Sequence, residues 1–376
     1  MKIEVDRDAL AEAVAWTARG LPARPAVPVL AGMRLEAGRE LTLASFDYDV
    51  SAQASIPVAT ETEGTVLVSG RLLAEITRSL PARPVQISAD GSRATLTCGS
   101  TTFTLLTMPV EDYPSLPGMP PAAGSVGSDA FATAVGQSAT AAGRDDTLPA
   151  LTGVRIEIED DILTLVSTDR YRLAIRKLRW NPARPELSAA VLVPAKAMAD
   201  TARALTTGAE VSIALALPGE ESSGGEGMIG FEGGGRRTTT RLLGGDFPAY
   251  QTLLPTSAES VAELATAPFA EAVKRVALVA ERNTAVLLSF SAGQLVLEAG
   301  TGDEAQAVEV LDAALEGKEI QIAFNPAYLL DGLAALDSDT VRISFTEPSK
   351  PALITGKPSP DAEPDYRYLV MPKAIR

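Results

Sequence analysis

The strongest constraint on this chain is that it repeats itself. Asp8-Ala-Leu-Ala-Glu-Ala-Val14, Asp129-Ala-Phe-Ala-Thr-Ala-Val135 and Ala267-Pro-Phe-Ala-Glu-Ala-Val273 share one pattern, and their matching apolar positions Leu10, Phe131 and Phe269 lie 121 and 138 residues apart. A second triplet consists of β-rich runs that lead into helices: Val66 to Glu75, Val191 to Asp200 and Ile322 to Asp331. Their matching positions Val68, Val193 and Phe324 are 125 and 131 residues apart. A unit recurring at that interval is domain-sized, well beyond the roughly 20–50 residues of a solenoid repeat. The chain therefore reads as three copies of one fold, at residues 1–120, 121–254 and 255–376.

Within each copy the apolar period changes along the chain. The opening runs have helical spacing, with Asp8 and Asp129 as N-cap candidates and Pro268 suited to a first helical turn. Between the two helices of a copy, Gly153-Val-Arg-Ile-Glu-Ile-Glu159 and Gln294-Leu-Val-Leu-Glu298 alternate apolar and polar residues as strands do. Asp90-Gly91 and Ala292-Gly293 read as the turns that end such strands. The expected fold class is α+β, with two helices per copy packed on one face of mostly antiparallel sheets. Boundaries between copies fall in turn-rich segments: Pro114–Gly127, which holds Pro114, Pro117, Pro120 and Pro121, and Leu254–Ala267. The Gly/Ser/Glu-rich run Pro218–Gly227 reads as a mobile hairpin excursion inside the second copy.

Composition removes whole classes of chemistry. Histidine is absent and Cys98 is the single cysteine. Those two facts exclude intrachain disulfides, cysteine-clustered metal sites, and every Ser-His or Cys-His nucleophile arrangement. No run approaches the roughly 18 apolar residues of a membrane span, and Met1-Lys2-Ile3-Glu4-Val5-Asp6 lacks the apolar core of a signal peptide. The expectation is a cytoplasmic chain with no membrane partner, no cofactor and no metal. Asp47 with Asp49, or Asp145 with Asp146, could be read as paired carboxylates of a hydrolase or a magnesium-dependent nuclease. No second acidic cluster or nucleophile stands beside them in the sequence, so a non-catalytic protein is expected.

The formal net charge is −15, which argues against a protein that coats nucleic acid by charge alone. The positive charge that exists nevertheless gathers on helices and beside them: Arg24 after the first helix, Arg71 and Arg78 on the second, Lys196 and Arg203 in the second copy, Lys274 in the third. Basic helix faces recurring from copy to copy suit a phosphate backbone, although solvated helix faces look the same.

Several ordered segments resemble the bacterial DNA polymerase III β-subunit family, the replicative sliding clamps. They are Arg24-Pro25 leading to Pro28-Val-Leu30, Ser167-Thr-Asp-Arg-Tyr-Arg-Leu-Ala174, Gly245-Asp-Phe-Pro-Ala-Tyr250 with Leu254-Pro255, Ile322-Ala-Phe-Asn325, and Tyr368-Leu-Val-Met-Pro372. The use of 25 Arg against 8 Lys, with abundant Ala, Gly and Pro, fits a G+C-rich bacterial genome.

The resemblance implies three clamp-fold domains per chain and a head-to-tail homodimer closed around duplex DNA. Partners implied are the polymerase III α subunit, the clamp loader, and other polymerases and repair factors carrying clamp-binding peptides rich in glutamine and apolar residues. Matched to the family's motifs, the peptide pocket falls on Leu151, Thr168, Arg170, Tyr171, Arg172, Leu173, Pro248, Leu253, Val370, Met371 and Pro372. The DNA-facing residues fall on Arg24, Arg71, Arg78, Lys196, Arg203 and Lys274. The dimer interface falls on Phe103 and Leu105 of one chain against Leu278 and Val279 of the other. The tail departs from the family in ending Lys373-Ala-Ile-Arg376, and Glu281-Arg-Asn-Thr284 departs near the pocket. These departures motivate an alternative, a divergent second clamp whose groove resists a clamp-binding peptide antibiotic. A repeat scaffold unrelated to DNA, monomeric and needing no loader, is the reading from outside the family.

Overall fold

The computed structural model describes residues 1–184, 187–206, 208–219, 227–280, 284–300, 305–357 and 364–374. Six helices of two kinds alternate along them. α1 (Arg7–Thr17), α3 (Ser128–Ala139) and α5 (Thr266–Val276) come from the first repeated motif; α2 (Gly70–Ser79), α4 (Ala195–Ala204) and α6 (Pro326–Ala334) come from the second. The cap of α1 lies two residues earlier than the sequence suggested. Asp6 is in an extended conformation, and its carboxylate accepts from the Asp8 and Ala9 amides, while Asp8 lies in the first turn. There its charge favours the positive end of the helix dipole. In α6, Asn325 caps the Ala327 amide and Pro326 follows it, at the one place where a missing N–H costs nothing.

Contacts divide the chain into two compact units, Met1–Ala132 with Trp180–Pro185 and Ala197–Leu242, and Thr133–Arg179 with Glu186–Lys196 and Leu243–Arg376. The middle repeat therefore contributes strands to both units. The first unit holds a 14-stranded sheet, and the second holds a 9-stranded and a 4-stranded sheet; all strand pairings are antiparallel. The two segments read as boundaries end as strands, Ala122–Gly127 and Ser260–Ala265. Their prolines, through Pro121 in the first and at Pro255 in the second, precede these strands, leaving uninterrupted backbone donors for a ladder. The Pro218–Gly227 excursion joins two paired strands, Glu210–Ala216 and Met228–Gly233, and residues 220–226 lie outside the described residues. Gly91 and Gly293 take φ of 54° and 83° in the hairpin turns expected of them, a region open to glycine at no steric cost.

In the second unit α5 and α6 pack side by side, burying Phe269, Val273, Val276, Leu329 and Leu333 against Leu288 and Phe290 of the 4-stranded sheet and Ile343 and Phe345 of the 9-stranded one. Each such side chain contributes about 1.5–3 kcal/mol. The first unit repeats this arrangement with α1 on α2, burying Leu10, Val14 and Leu73. The other face of the 9-stranded sheet carries a smaller cluster of Val166, Leu173, Ile175, Tyr250 and Leu369, with Phe247 and Leu254 packed against it. The connector between the second and third repeats is thereby fastened to the sheet by its aromatic residues.

Candidate functional site

The strands Ile162–Thr168 and Arg172–Arg179 pair antiparallel, Thr168 opposite Leu173, and are joined through Asp169, Arg170 and Tyr171. Arg170 has φ of 78°, a left-handed conformation that costs a residue with a Cβ roughly 1–2 kcal/mol. Local hydrogen bonds offset that cost. One Asp169 carboxylate oxygen accepts from the Tyr171 and Arg172 amides, both at 3.0 Å. The Thr168 hydroxyl donates to the Arg172 carbonyl at 2.7 Å and accepts from the Arg170 amide at 3.1 Å.

Arg172 is only 7% exposed. A buried guanidinium must be paired, and this one is held from three directions. Its Nε donates to Asp169 at 2.9 Å, its Nη1 donates to Asp331 of α6 at 2.5 Å, and its Cζ lies 4.6 Å from the centroid of the Tyr328 ring. Burial works against the Arg172 charge, and Tyr368, Asp331 and Asp169 outweigh it, leaving the group more firmly protonated than a free arginine. Tyr171, 56% exposed, stacks on Tyr328 with centroids 6.3 Å apart and planes 24° from parallel. Burial raises the Tyr328 pKa, and Asp169 adds to the effect, so the ring stays neutral.

Beside this turn opens a cavity of about 730 Å³. Its walls come from the turn (Asp169 to Arg172), from α6 (Ala327, Tyr328, Asp331) and from the segment Ala142–Leu151, including Leu148 and Leu151 at the 3-10 turn Pro149–Leu151. Asp145 accepts from the Thr147 hydroxyl and amide; those bonds hold its pKa below the usual carboxylate value, with help from Arg170. The arrangement offers no nucleophile. It offers an apolar cleft with aromatic walls and a rim of opposed charges, suited to a short peptide.

Of the residues singled out in the sequence, Leu151, Arg170, Tyr171 and Arg172 line this cavity. Thr168 is spent on the turn itself. Leu173 and Val370 are buried on opposite sheet faces, Leu173 under Tyr250 and Val370 in the main core beside α6. Pro248 and Leu253 lie exposed on the connector that Tyr250 fastens. The tail runs alongside: the Met371 amide donates to the Tyr171 carbonyl at 2.8 Å, Pro372 follows, and the Lys373 amide donates to the Ala323 carbonyl at 2.8 Å. Ile375, Arg376 and Glu281 to Asn283 lie outside the described residues.

The cations read as DNA-facing are all exposed. Arg71 donates to the Pro22 and Ala23 carbonyls and so fixes the loop that presents Arg24. Arg203 pairs with Asp200 and Lys274 with Glu271, both within their own helices. Arg78 and Lys196 project from α2 and α4. At the interface positions, Leu105 is buried, Phe103 and Val279 are half-buried, and Leu278 is 83% exposed.

Sequence reasoning placed one free edge, at Phe103 and Leu105, and missed the other. The strand Thr101–Met108 pairs along its length with Arg93–Cys98, but on its other side only Thr107 and Met108 are paired. In the 4-stranded sheet, Ala307–Asp312 is an edge strand with Val308 and Val310 exposed and Glu309 held by Arg275. The signal was the alternation Ala307-Val-Glu-Val310, in which the valines occupy the face that solvent should hold. Tyr328 and Asp331 were missed too; a buried arginine implies a carboxylate partner, but sequence alone does not say which.

Repeated helix pairs on antiparallel sheets, with no catalytic constellation among the described residues, make up a three-domain clamp fold. The profile of the DNA polymerase III β subunit N-terminal domain matches residues 1–117, that of its central domain 125–249 and that of its C-terminal domain 251–374. The chain is 64% identical over 375 residues to a β sliding clamp of Streptomyces coelicolor, covering 99% of each chain. It is 44% identical, also over 99% of each chain, to the β sliding clamp homolog GriR of Streptomyces muensis. The crystal structure of the Bacillus subtilis DNA polymerase sliding clamp superposes with a TM-score of 0.90 at 26% identity, covering all of both chains. The chain belongs to the bacterial DNA polymerase III β-subunit family, the β sliding clamps, and is a non-catalytic processivity subunit.

Proposed function

We propose that two copies of this chain join head to tail into a ring around duplex DNA, and that the cleft beside Thr168–Arg172 receives glutamine- and apolar-rich peptides. Those peptides come from the polymerase III α subunit, the clamp loader, and other polymerases and repair factors. Domain boundaries near residues 120 and 254 go with this reading. The observation that carries it is the pair of unpaired strand edges: Thr101–Leu106, the part of its strand left open beyond the pairing of Thr107 and Met108, and Ala307–Asp312, the outer strand of the 4-stranded sheet with its exposed valines. Exposed edges with apolar side chains favour pairing with another chain, and two different edges per chain permit a closed head-to-tail dimer.

Enclosure explains the charge. A ring held by topology needs only a few cations such as Arg24, Arg78 and Lys274 to centre the duplex, and a net charge of −15 discourages other DNA contacts. Tethering makes each rebinding of a polymerase intramolecular, which raises apparent affinity by roughly 10²- to 10⁴-fold. The carboxylate pairs have another use: Asp47 and Asp145 both hold turns through backbone amides.

Retention on DNA tests the proposal. Loaded onto nicked circular DNA, the protein is expected to stay bound through a high-salt wash and to leave once the circle is cut. Equal loss from cut and uncut molecules would refute enclosure.

A further inference from the structure

We propose that the Arg172–Asp331 ion pair is a positioning device that sets the width of the peptide cleft, holding Tyr171 on the turn at a fixed distance from Tyr328 on α6. The inference rests on the cleft being the peptide site.

The molecule contains its own control. In the first unit the strands Glu40–Phe46 and Val50–Pro57 are joined through Asp47, Tyr48 and Asp49 in the same backbone conformation: φ of 79° at Tyr48 against 78° at Arg170. There too one carboxylate oxygen, of Asp47, accepts from the two amides that follow, Asp49 at 3.0 Å and Val50 at 2.6 Å. The position of Arg172 is held by Val50. In the aligned helices Ala197 stands where α6 has Tyr328, and Asp200, the counterpart of Asp331, pairs with Arg203 of its own helix. The turn thus forms without an arginine, so Arg172 is not needed to build it. What Arg172 adds is a tie from the turn to the helix opposite.

Stability does not explain that tie. An ion pair whose carboxylate is half exposed contributes little net stability, whereas its geometry is exacting. Arg172 is fixed at Asp169 on the turn and at Asp331 on the helix, and the Tyr171–Tyr328 stack spans the same gap. A peptide entering the cleft then meets walls already set apart and loses less affinity to ordering them.

Asp331 is 49% exposed, so its replacement leaves no buried hole. The test uses the full chain and a synthetic labelled peptide of glutamine followed by leucine and phenylalanine, read by fluorescence anisotropy. Asp331→Asn is expected to weaken binding about tenfold, and Asp331→Glu to restore it to within about threefold, both variants remaining folded with Arg172 still paired to Asp169 and unfolding only slightly below the unaltered chain. Unchanged affinity in Asp331→Asn, or a loss that Asp331→Glu does not restore, overturns the positioning role. Failure of the unaltered chain to bind the peptide at all overturns the peptide site itself.

Discussion

Two tyrosines fix the connectors between repeats. Tyr250 is buried, its hydroxyl donates to Glu157 at 2.7 Å, and Glu157 in turn takes Arg155 at 2.7 Å, whose guanidinium lies 5.9 Å from the Phe247 ring. Burial raises the Tyr250 pKa and the Glu157 contact raises it further. Tyr113, packed with Phe46 and Leu67, is pushed up to about 12, chiefly by burial. Both groups hold their protons more tightly folded than unfolded. Their contribution is therefore complete below pH 10 and is lost as pH rises through the folded values, because the unfolded chain ionises first. Urea midpoints should hold steady from pH 7 to 9.5 and fall above pH 10, and Tyr113→Phe should flatten the first part of that fall. Tyr250→Phe should cost about 1 kcal/mol at pH 7, the net value of one buried hydrogen bond, measured from the same urea curves. Asp-Phe-Pro-Ala-Tyr250 was legible in the sequence as a motif, but its task as a fastener was not. That task depends on Glu157, which precedes Tyr250 by 93 residues and reaches it only through the sheet.

At the scale of elements, the helices were the most legible part. Each buries one stripe, so the spacing of Phe269, Val273 and Val276 survives in the sequence. Strands such as Gly153–Glu159 and Gln294–Ala299 were legible for the same reason with period two. The cleft was only half legible: the turn is contiguous, whereas the wall formed by Tyr328 and Asp331 comes from a helix whose pattern looks like ordinary core. The edge at Ala307–Asp312 was least legible, because being unpaired is a property of neighbours, and the edge at Phe103 and Leu105 was reached only through the family resemblance. Ala307–Asp312 gives a prediction at this scale. Val310→Lys places a charge on the outward face of the edge, where Val310 is 55% exposed, so the stability of the monomer should change little, within about 0.5 kcal/mol by thermal unfolding. If that edge pairs with the Thr101–Leu106 edge of a second chain, a buried lysine opposes closure. Sedimentation should then show the variant largely as folded monomer at concentrations where the unaltered chain is dimeric.

For the whole molecule, threefold repetition was read directly from the sequence, while the two compact units do not follow the repeats. The middle repeat gives the strands Ala122–Gly127 and Glu210–Ala216 to one unit and Gly153–Glu159 and Ile162–Thr168 to the other. Sequence similarity marks units of descent, whereas compactness follows sheet pairing, such as that of Arg236–Arg241 with Val50–Pro57 across two repeats. Charge at this scale supplies the last prediction. A protein held by adhesion loses affinity steeply with salt, by about 0.9 log unit per log unit of salt for each phosphate neutralised. A chain of net charge −15 held by enclosure should show no such slope once closed on a circle. Arg24→Ala, Arg78→Ala and Lys274→Ala together remove three exposed cations and leave the sheets untouched. This triple variant should be captured more slowly onto DNA, because fewer charges steer the encounter. Its half-life on closed circles should match that of the unaltered chain between 50 and 500 mM salt. A half-life that shortens with each cation removed, and shortens further with salt, would mean that these side chains grip the duplex and that the ring is not what retains it.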